Sequence, residues 1–203
     1  NKIVEYTGEG LSDLSLTDRA TICNMGAELG ATTSVFPTDE NALAYLKQQG
    51  REDEYVEMKA DDDATYDETI EIDMSTLVPM VAQPHSPDNV VDVKELEGMK
   101  INQVVIGSCT NSSLPDMMRA AKILKGRKVA EDVSLVIAPG SSSILSMLAQ
   151  NGALADMIHA GARILECGCG PCIGMGQAPL SKGVSLRTIN RNFKGRSGTN
   201  DAS

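Results

Sequence analysis

The sequence predicts an α/β protein with mostly parallel sheets, and three observations carry that expectation. Short β-branched or apolar runs alternate along the chain with stretches of helical periodicity, the pattern of this class. Cysteine-bearing loops follow two of the apolar runs, at residues 104–106 and 162–165, and open α/β sheets build their sites beyond the carboxyl ends of strands. A proline-bearing stretch of little periodicity, residues 78–89, separates two such regions. The expected organisation is therefore two α/β subdomains: residues 1–78, a linker over 79–98, and residues 99–203 carrying the cysteine loops.

Taken in order, residues 3–6 read as a strand closed by the turn-rich Thr7-Gly8-Glu9-Gly10. Thr17 suits a helix N-cap, with Asp18 in the first turn, where the helix dipole favours a carboxylate. Ala20, Cys23 and Ala27 recur at helical spacing, and the helix is expected to end near Gly30. Asn24 and Glu28 are four apart and would project from one face of that helix. Periodicity leaves two readings open: a solvated stripe, or a polar pair aimed into a site. Residues 32–36 are a β-branched strand, and Pro37 to Glu40 open a second helix with Leu43 and Leu46 inward and Gly50 stopping it. Residues 51–67 are acidic and poor in hydrophobes; Asp61-Asp62-Asp63 lacks the glycine and closing Glu of a calcium loop and reads as solvated. Residues 69–73 alternate and read as a half-buried strand.

The second half repeats the rhythm. Residues 103–106 form a strand, and 114–125 a helix with Pro115 in its first turn and Gly126 after its end. Residues 134–138 form a strand, and a helix follows from 141–143 with Leu145 and Leu148 inward. Asn151-Gly152 breaks it, and residues 154–159 form another. Strand 163–165 leads to the cysteine loop, and strand 184–189 delivers Asn190-Arg191-Asn192-Phe193-Lys194-Gly195-Arg196.

With 203 residues, 41% hydrophobic, the chain can bury a core; with 3% aromatics and no Trp, that core must rest on aliphatics, Ala and Met. A net charge of −10 without a basic run argues against nucleic acid as a partner. No apolar stretch reaches the ~20 residues that span a bilayer, and no signal-peptide pattern opens the sequence. Five cysteines, clustered rather than spread, argue for a reducing, cytoplasmic setting and for metal or thiolate chemistry rather than a disulfide framework. The chain starts at Asn1 rather than Met, which suggests a piece of a longer protein.

The chemistry concentrates in Cys167-Gly168-Cys169-Gly170-Pro171-Cys172. Cys169 and Cys172 form a C-x-x-C pair able to place two sulfurs on one metal centre. Cys109 follows the strand at 103–106. Structural zinc takes four ligands, so Cys167 or His85 would have to complete its set. A redox C-x-x-C would not need Cys109. A [4Fe–4S] cluster held by three thiolates keeps one iron open to substrate oxygens. Spacing alone leaves these open. Arg191 and Arg196, five apart in a glycine-containing loop, suit bidentate carboxylate recognition or form a solvated basic tail.

Four segments together resemble the aconitase family: residues 20–37, ending Ala-Thr-Thr-Ser-Val-Phe-Pro; Ile106-Gly107-Ser108-Cys109-Thr110-Asn111-Ser112-Ser113; Cys169-Gly170-Pro171-Cys172-Ile173-Gly174; and Asn190 through Arg196. They stand in the family's order and cover most of the chain. The resemblance implies a three-layer α/β/α iron–sulfur domain and a [4Fe–4S] hydro-lyase interconverting citrate and isocitrate, a tricarboxylate pair. The wording of the first segment favours aconitate hydratase over the related isopropylmalate and homoaconitate isomerases. It further implies Cys109, Cys169 and Cys172 as cluster ligands, Asn190 beside the cluster, Arg191 and Arg196 on substrate carboxylates, and Asn24 and Glu28 as a polar pair facing the site. Cys167 is not among the matched ligands. Segments that complete the family's site would lie outside this chain, so the remaining domains of a longer enzyme are expected partners. The rival is a non-catalytic module, either a zinc-holding α/β domain or an iron-responsive binding protein.

Overall fold

A computed structural model describes residues 1–203, and its chain divides between Val78 and Pro79 into two units. In the first, strand β1 (Ile3–Glu5) pairs in parallel with β2 (Thr33–Val35), Ile3 opposite Thr33. Helix α1 (Leu16–Met25) lies between them in sequence, and α2 (Glu40–Gln48) follows. Ser15, not Thr17, caps α1. Its hydroxyl accepts from the Asp18 N–H while its own N–H donates to the Asp18 carboxylate, a reciprocal capping box. The helix stops at Met25, short of Gly30, because residues 26–30 turn back toward β2. Asp39 caps α2 by accepting from the Ala42 N–H at 3.1 Å. Ala42 is buried, and Leu43 and Leu46 are half-buried.

The hub of this unit is a buried cation. Arg19 is 2% exposed and pairs with Asp39. It donates to the Leu11 carbonyl at 2.8 Å, and its guanidinium lies 5.8 Å from the Phe36 ring centroid. Phe36 stacks on Tyr6 with centroids 4.6 Å apart. With Ala42 as its one buried hydrophobic residue, the unit relies on this paired and stacked arginine. The strand expected at 69–73 is absent: no neighbouring strand takes its hydrogen bonds, and Ile70 and Ile72 are 76% and 64% exposed. Residues 51–67 are irregular apart from a 3-10 turn, Glu52–Glu54, as a solvated acidic stretch should be.

The second unit opens with an antiparallel hairpin, β3 (Met80–Ala82) with β4 (Val90–Asp92), inside the segment expected as a linker. A four-stranded parallel sheet follows, built from β5 (Gln103–Gly107), β6 (Ser134–Ala138), β7 (Arg163–Ile164) and β8 (Ser185–Arg187) in the order β7-β6-β5-β8. Helices α3 (Leu114–Leu124), α4 (Ser142–Gln150) and α5 (Ala153–Ala160) connect the first three strands. Ser113 and Asp116 form a second capping box, and Ser141 caps α4.

Register sorts the sheet's side chains onto two faces. Val104, Ile106, Leu135, Ile137 and Ile164 meet the helices, and with Met117, Leu148 and Met157 they make the core. Methionines fill the volume that aromatics would otherwise take. The opposite face carries Gln103, Ser134, Arg163 and Arg187. Residues 170–178 run across that face, held by one side chain from each strand. Arg187 donates to the Pro171 carbonyl at 2.7 Å, and the Gln103 amide to the Ala178 carbonyl at 3.4 Å. Gln177 donates to Ser134 Oγ at 3.2 Å, and Arg163 donates to Gln177 Oε1 at 2.7 Å. Helices, sheet and this crossing segment are the three layers of the unit.

Candidate functional site

The two cysteine loops leave the sheet at the carboxyl ends of β5 and β7. Gly107 ends β5 with φ +114°, and a Cβ there would fall 2.0 Å from the Ala138 carbonyl oxygen, so only glycine lets β5 and β6 lie this close. Its N–H donates to Thr188 Oγ1 at 2.9 Å, and the Ser108 N–H donates to the Ala138 carbonyl at 3.1 Å. Ser108 also takes a positive φ, +115°. The Ser112 hydroxyl donates back to the Ser108 carbonyl, and both serines are buried. The turn that presents Cys109 is thus fixed from three sides, and Cys109 itself is exposed.

Cys169 caps a 3-10 turn, Gly170–Ile173, and the Cys172 N–H donates to the Cys169 carbonyl at 3.1 Å. Pro171 is fully buried and sets the first turn. Gly174, at φ +81°, lets the Ser197 carbonyl come within 2.2 Å of where a Cβ would stand. Cys169 is exposed and Cys172 buried. Burial pushes the Cys172 thiol up. A hydrogen bond from the Ser108 hydroxyl pulls against that shift, Cys169 and Cys109 add to it as like charges, and the Arg196 guanidinium opposes it. Cys109, Cys169 and Arg196 therefore each lie within electrostatic reach of Cys172. No disulfide joins the cysteines. No group of three or more His, Cys, Asp or Glu side chains is gathered closely enough for a single metal ion, whose ligands must all come within about 2–2.3 Å of one point.

The arginine loop is tied to the same turn. Asn111 donates to the Thr188 carbonyl and, at 2.5 Å, to Asn190 Oδ1. Asn192 donates to the Ala82 and Gln83 carbonyls at 3.2 and 2.7 Å, binding the loop to the β3–β4 hairpin. Arg191 and Arg196 are both part-buried. Asn24 and Glu28 belong to the first unit. Asn24 lies in the last turn of α1, and Glu28 stands in the turn after the helix, its N–H donating to the Met25 carbonyl at 3.0 Å. The expectation that they share a helix face is corrected, because Gly26 ends the helix between them.

The model of the aconitase family (aconitate hydratase) matches residues 1–203. The chain belongs to the aconitase family. It is 45% identical over 202 residues to the 3-isopropylmalate dehydratase large subunit 2 of Archaeoglobus fulgidus, covering 99% of this chain and 49% of that protein. It is 43% identical to the methanogen homoaconitase large subunit of Methanocaldococcus jannaschii, covering 96% of this chain and 49% of that one. The large subunit from Clostridium kluyveri, named for 3-isopropylmalate dehydratase, is 45% identical over 96% of this chain and 46% of its own length. The chain spans about half the length of these curated relatives. The names of these three relatives are those of isopropylmalate dehydratase and homoaconitase large subunits. Residues 31–37, whose wording pointed to aconitate hydratase, run through β2 and the Phe36 stack.

Sequence reasoning assigned no role to Ser108, Asn111, Thr188 or Asn192. Asn111 was within the quoted motif, and its amide could have been matched to Asn190 by type. Nothing in the spacing marks Ser108 or Thr188.

Proposed function

We propose that this chain carries the iron–sulfur part of a hydro-lyase acting on a hydroxy acid of the isopropylmalate or homoaconitate type. The observation that carries this reading is that Cys109, Cys169 and the Arg196 guanidinium all lie within electrostatic reach of Cys172, the three thiols coming from two strand-end loops. The donor set fits a [4Fe–4S] cluster, which takes thiolates spread over several irons, better than zinc, which calls for four ligands on one ion. Cys109, Cys169 and Cys172 would hold it. When bound, such a cluster with one iron free of protein ligands supplies a Lewis acid for the substrate's hydroxyl and carboxylate oxygens.

The chain's own residues do the rest. Arg196, and Arg191 in the same loop, grip substrate carboxylates with paired N–H donors. Asn111 orients Asn190 by donating to its carbonyl oxygen. Asn192 keeps the loop on the hairpin, so the arginines hold their spacing. The assignment of Asn24 and Glu28 to catalysis rests on the family resemblance. The relatives are named as large subunits, and we assign this protein a smaller subunit as partner. No helix is long and apolar enough to cross a membrane.

Metal analysis after anaerobic purification of the full-length protein tests the reading. Iron and sulfide in equal amounts with broad visible absorbance are expected; zinc without sulfide refutes it. Cys109→Ser is expected to abolish cluster uptake, and unchanged iron and sulfide would remove Cys109 from the ligand set. Turnover with the partner subunit should be faster on isopropylmalate or homoaconitate than on citrate; the reverse order would restore the aconitate hydratase reading.

A further inference from the structure

The site as described leaves one cation unused. Arg187 ends β8 on the face crossed by the cysteine segment. It is part-buried, and all three of its bonding groups are engaged. Nε donates to Ser185 Oγ at 2.8 Å, Nη2 to Gln103 Oε1 at 2.8 Å, and Nη1 to the Pro171 carbonyl at 2.7 Å. Gln103 is 3% exposed and is itself fixed by a bond from the Ser185 hydroxyl at 2.7 Å. Every acceptor is neutral. None of the ion pairs in the molecule includes Arg187.

A guanidinium drawn away from water needs a nearby negative charge to offset its lost hydration, and no carboxylate provides one. The Pro171 carbonyl belongs to the peptide unit whose nitrogen is that of Cys172, and that nitrogen donates to the Cys169 carbonyl. Arg187 therefore holds the backbone between two of the three proposed ligands.

We propose that Arg187 is a positioning residue for the iron–sulfur centre, fixing the Cys169–Cys172 turn through the Pro171 carbonyl and countering the net negative charge of the cluster with its thiolates. The inference rests on the reading under Proposed function. Hydrogen bonding and local charge set both the retention and the potential of such centres.

The test uses the full-length protein with its cluster, and measures the midpoint potential by spectroelectrochemical titration and the rate of iron loss to a chelator. Arg187→Met should shift the midpoint to a more negative value, since the added electron loses a nearby positive charge. It should also shed iron about tenfold faster, the lower end of outer-shell effects. Arg187→Lys keeps the charge and loses the fork, so its midpoint should stay near wild type while iron loss quickens. A merely structural arginine would leave the potential where it was. Arg187→Met with the wild-type potential and loss rate overturns the proposal. If that variant does not fold, Arg187→Lys decides, and a wild-type rate of iron loss overturns the anchoring. A wild-type protein without iron and sulfide fails at the first measurement and takes the parent reading with it.

Discussion

Gly107→Ala isolates the requirement that the Cys109 turn makes of the backbone. The substituted residue would hold φ +114°, which costs a non-glycine residue about 1–3 kcal/mol. Its methyl would stand 2.0 Å from the Ala138 oxygen and 2.8 Å from the Ala138 carbonyl carbon. Those atoms belong to β6, paired with β5 at this position, so relief requires the strands to part. Such overpacking costs about 1–3 kcal/mol more, and the total is about 2–6 kcal/mol. Gly126→Ala is the control. It has φ +72° after α3 with open space around it, and should lose about 1–2 kcal/mol from conformation alone. Urea denaturation of both variants, followed by far-ultraviolet circular dichroism, measures the difference. A Gly107→Ala protein as stable as Gly126→Ala would refute the close approach of β5 and β6 as the reason for glycine.

Arg19→Met keeps much of the side-chain bulk but strands Asp39 and removes the cation from Phe36; the first unit should lose about 3–5 kcal/mol, read by chemical denaturation. The Asp39 carboxyl is held below the usual range, chiefly by the hydrogen bond from Arg19. Its folded pKa is the lower one, so this contribution is fully present above the ordinary carboxylate value and fades as the pH falls through the folded value. Asp39→Asn should therefore flatten the fall of Tm on acidification below about pH 4, and an unchanged slope would refute the coupling. Met157→Ala empties a fully buried position between helices and sheet and should cost about 2–5 kcal/mol in thermal or urea unfolding.

Strands β5 and β6 were legible because their apolar runs are continuous, as strands covered on both faces require. Gly126 and Pro115 marked the ends of α3 for steric reasons that act locally. The start of α1 was misplaced by two residues because the Ser15 box closes with Asp18 rather than the more familiar Glu or Gln. Residues 69–73 have the alternation of a strand, but pairing needs a neighbour, and a local pattern cannot supply one. The β3–β4 hairpin was hidden by Pro84 and Pro87, which fall in its loop rather than its strands. At the site, the cysteines were legible as a cluster of one residue type. Arg187 was not: a charged residue in a three-residue strand reads as solvent-facing until the crossing segment is known to cover it.

That crossing segment works as a batten nailed across four planks. Strand β7 is only two residues long and sits at the sheet's edge, where strands ordinarily fray first. Its Arg163 is fastened to the same stretch of chain that presents Cys172. Fraying at that edge should then travel with disorder among the sulfurs, so amide exchange at Leu165, whose N–H donates to the Ile137 carbonyl, would serve as a gauge of the thiols some distance away.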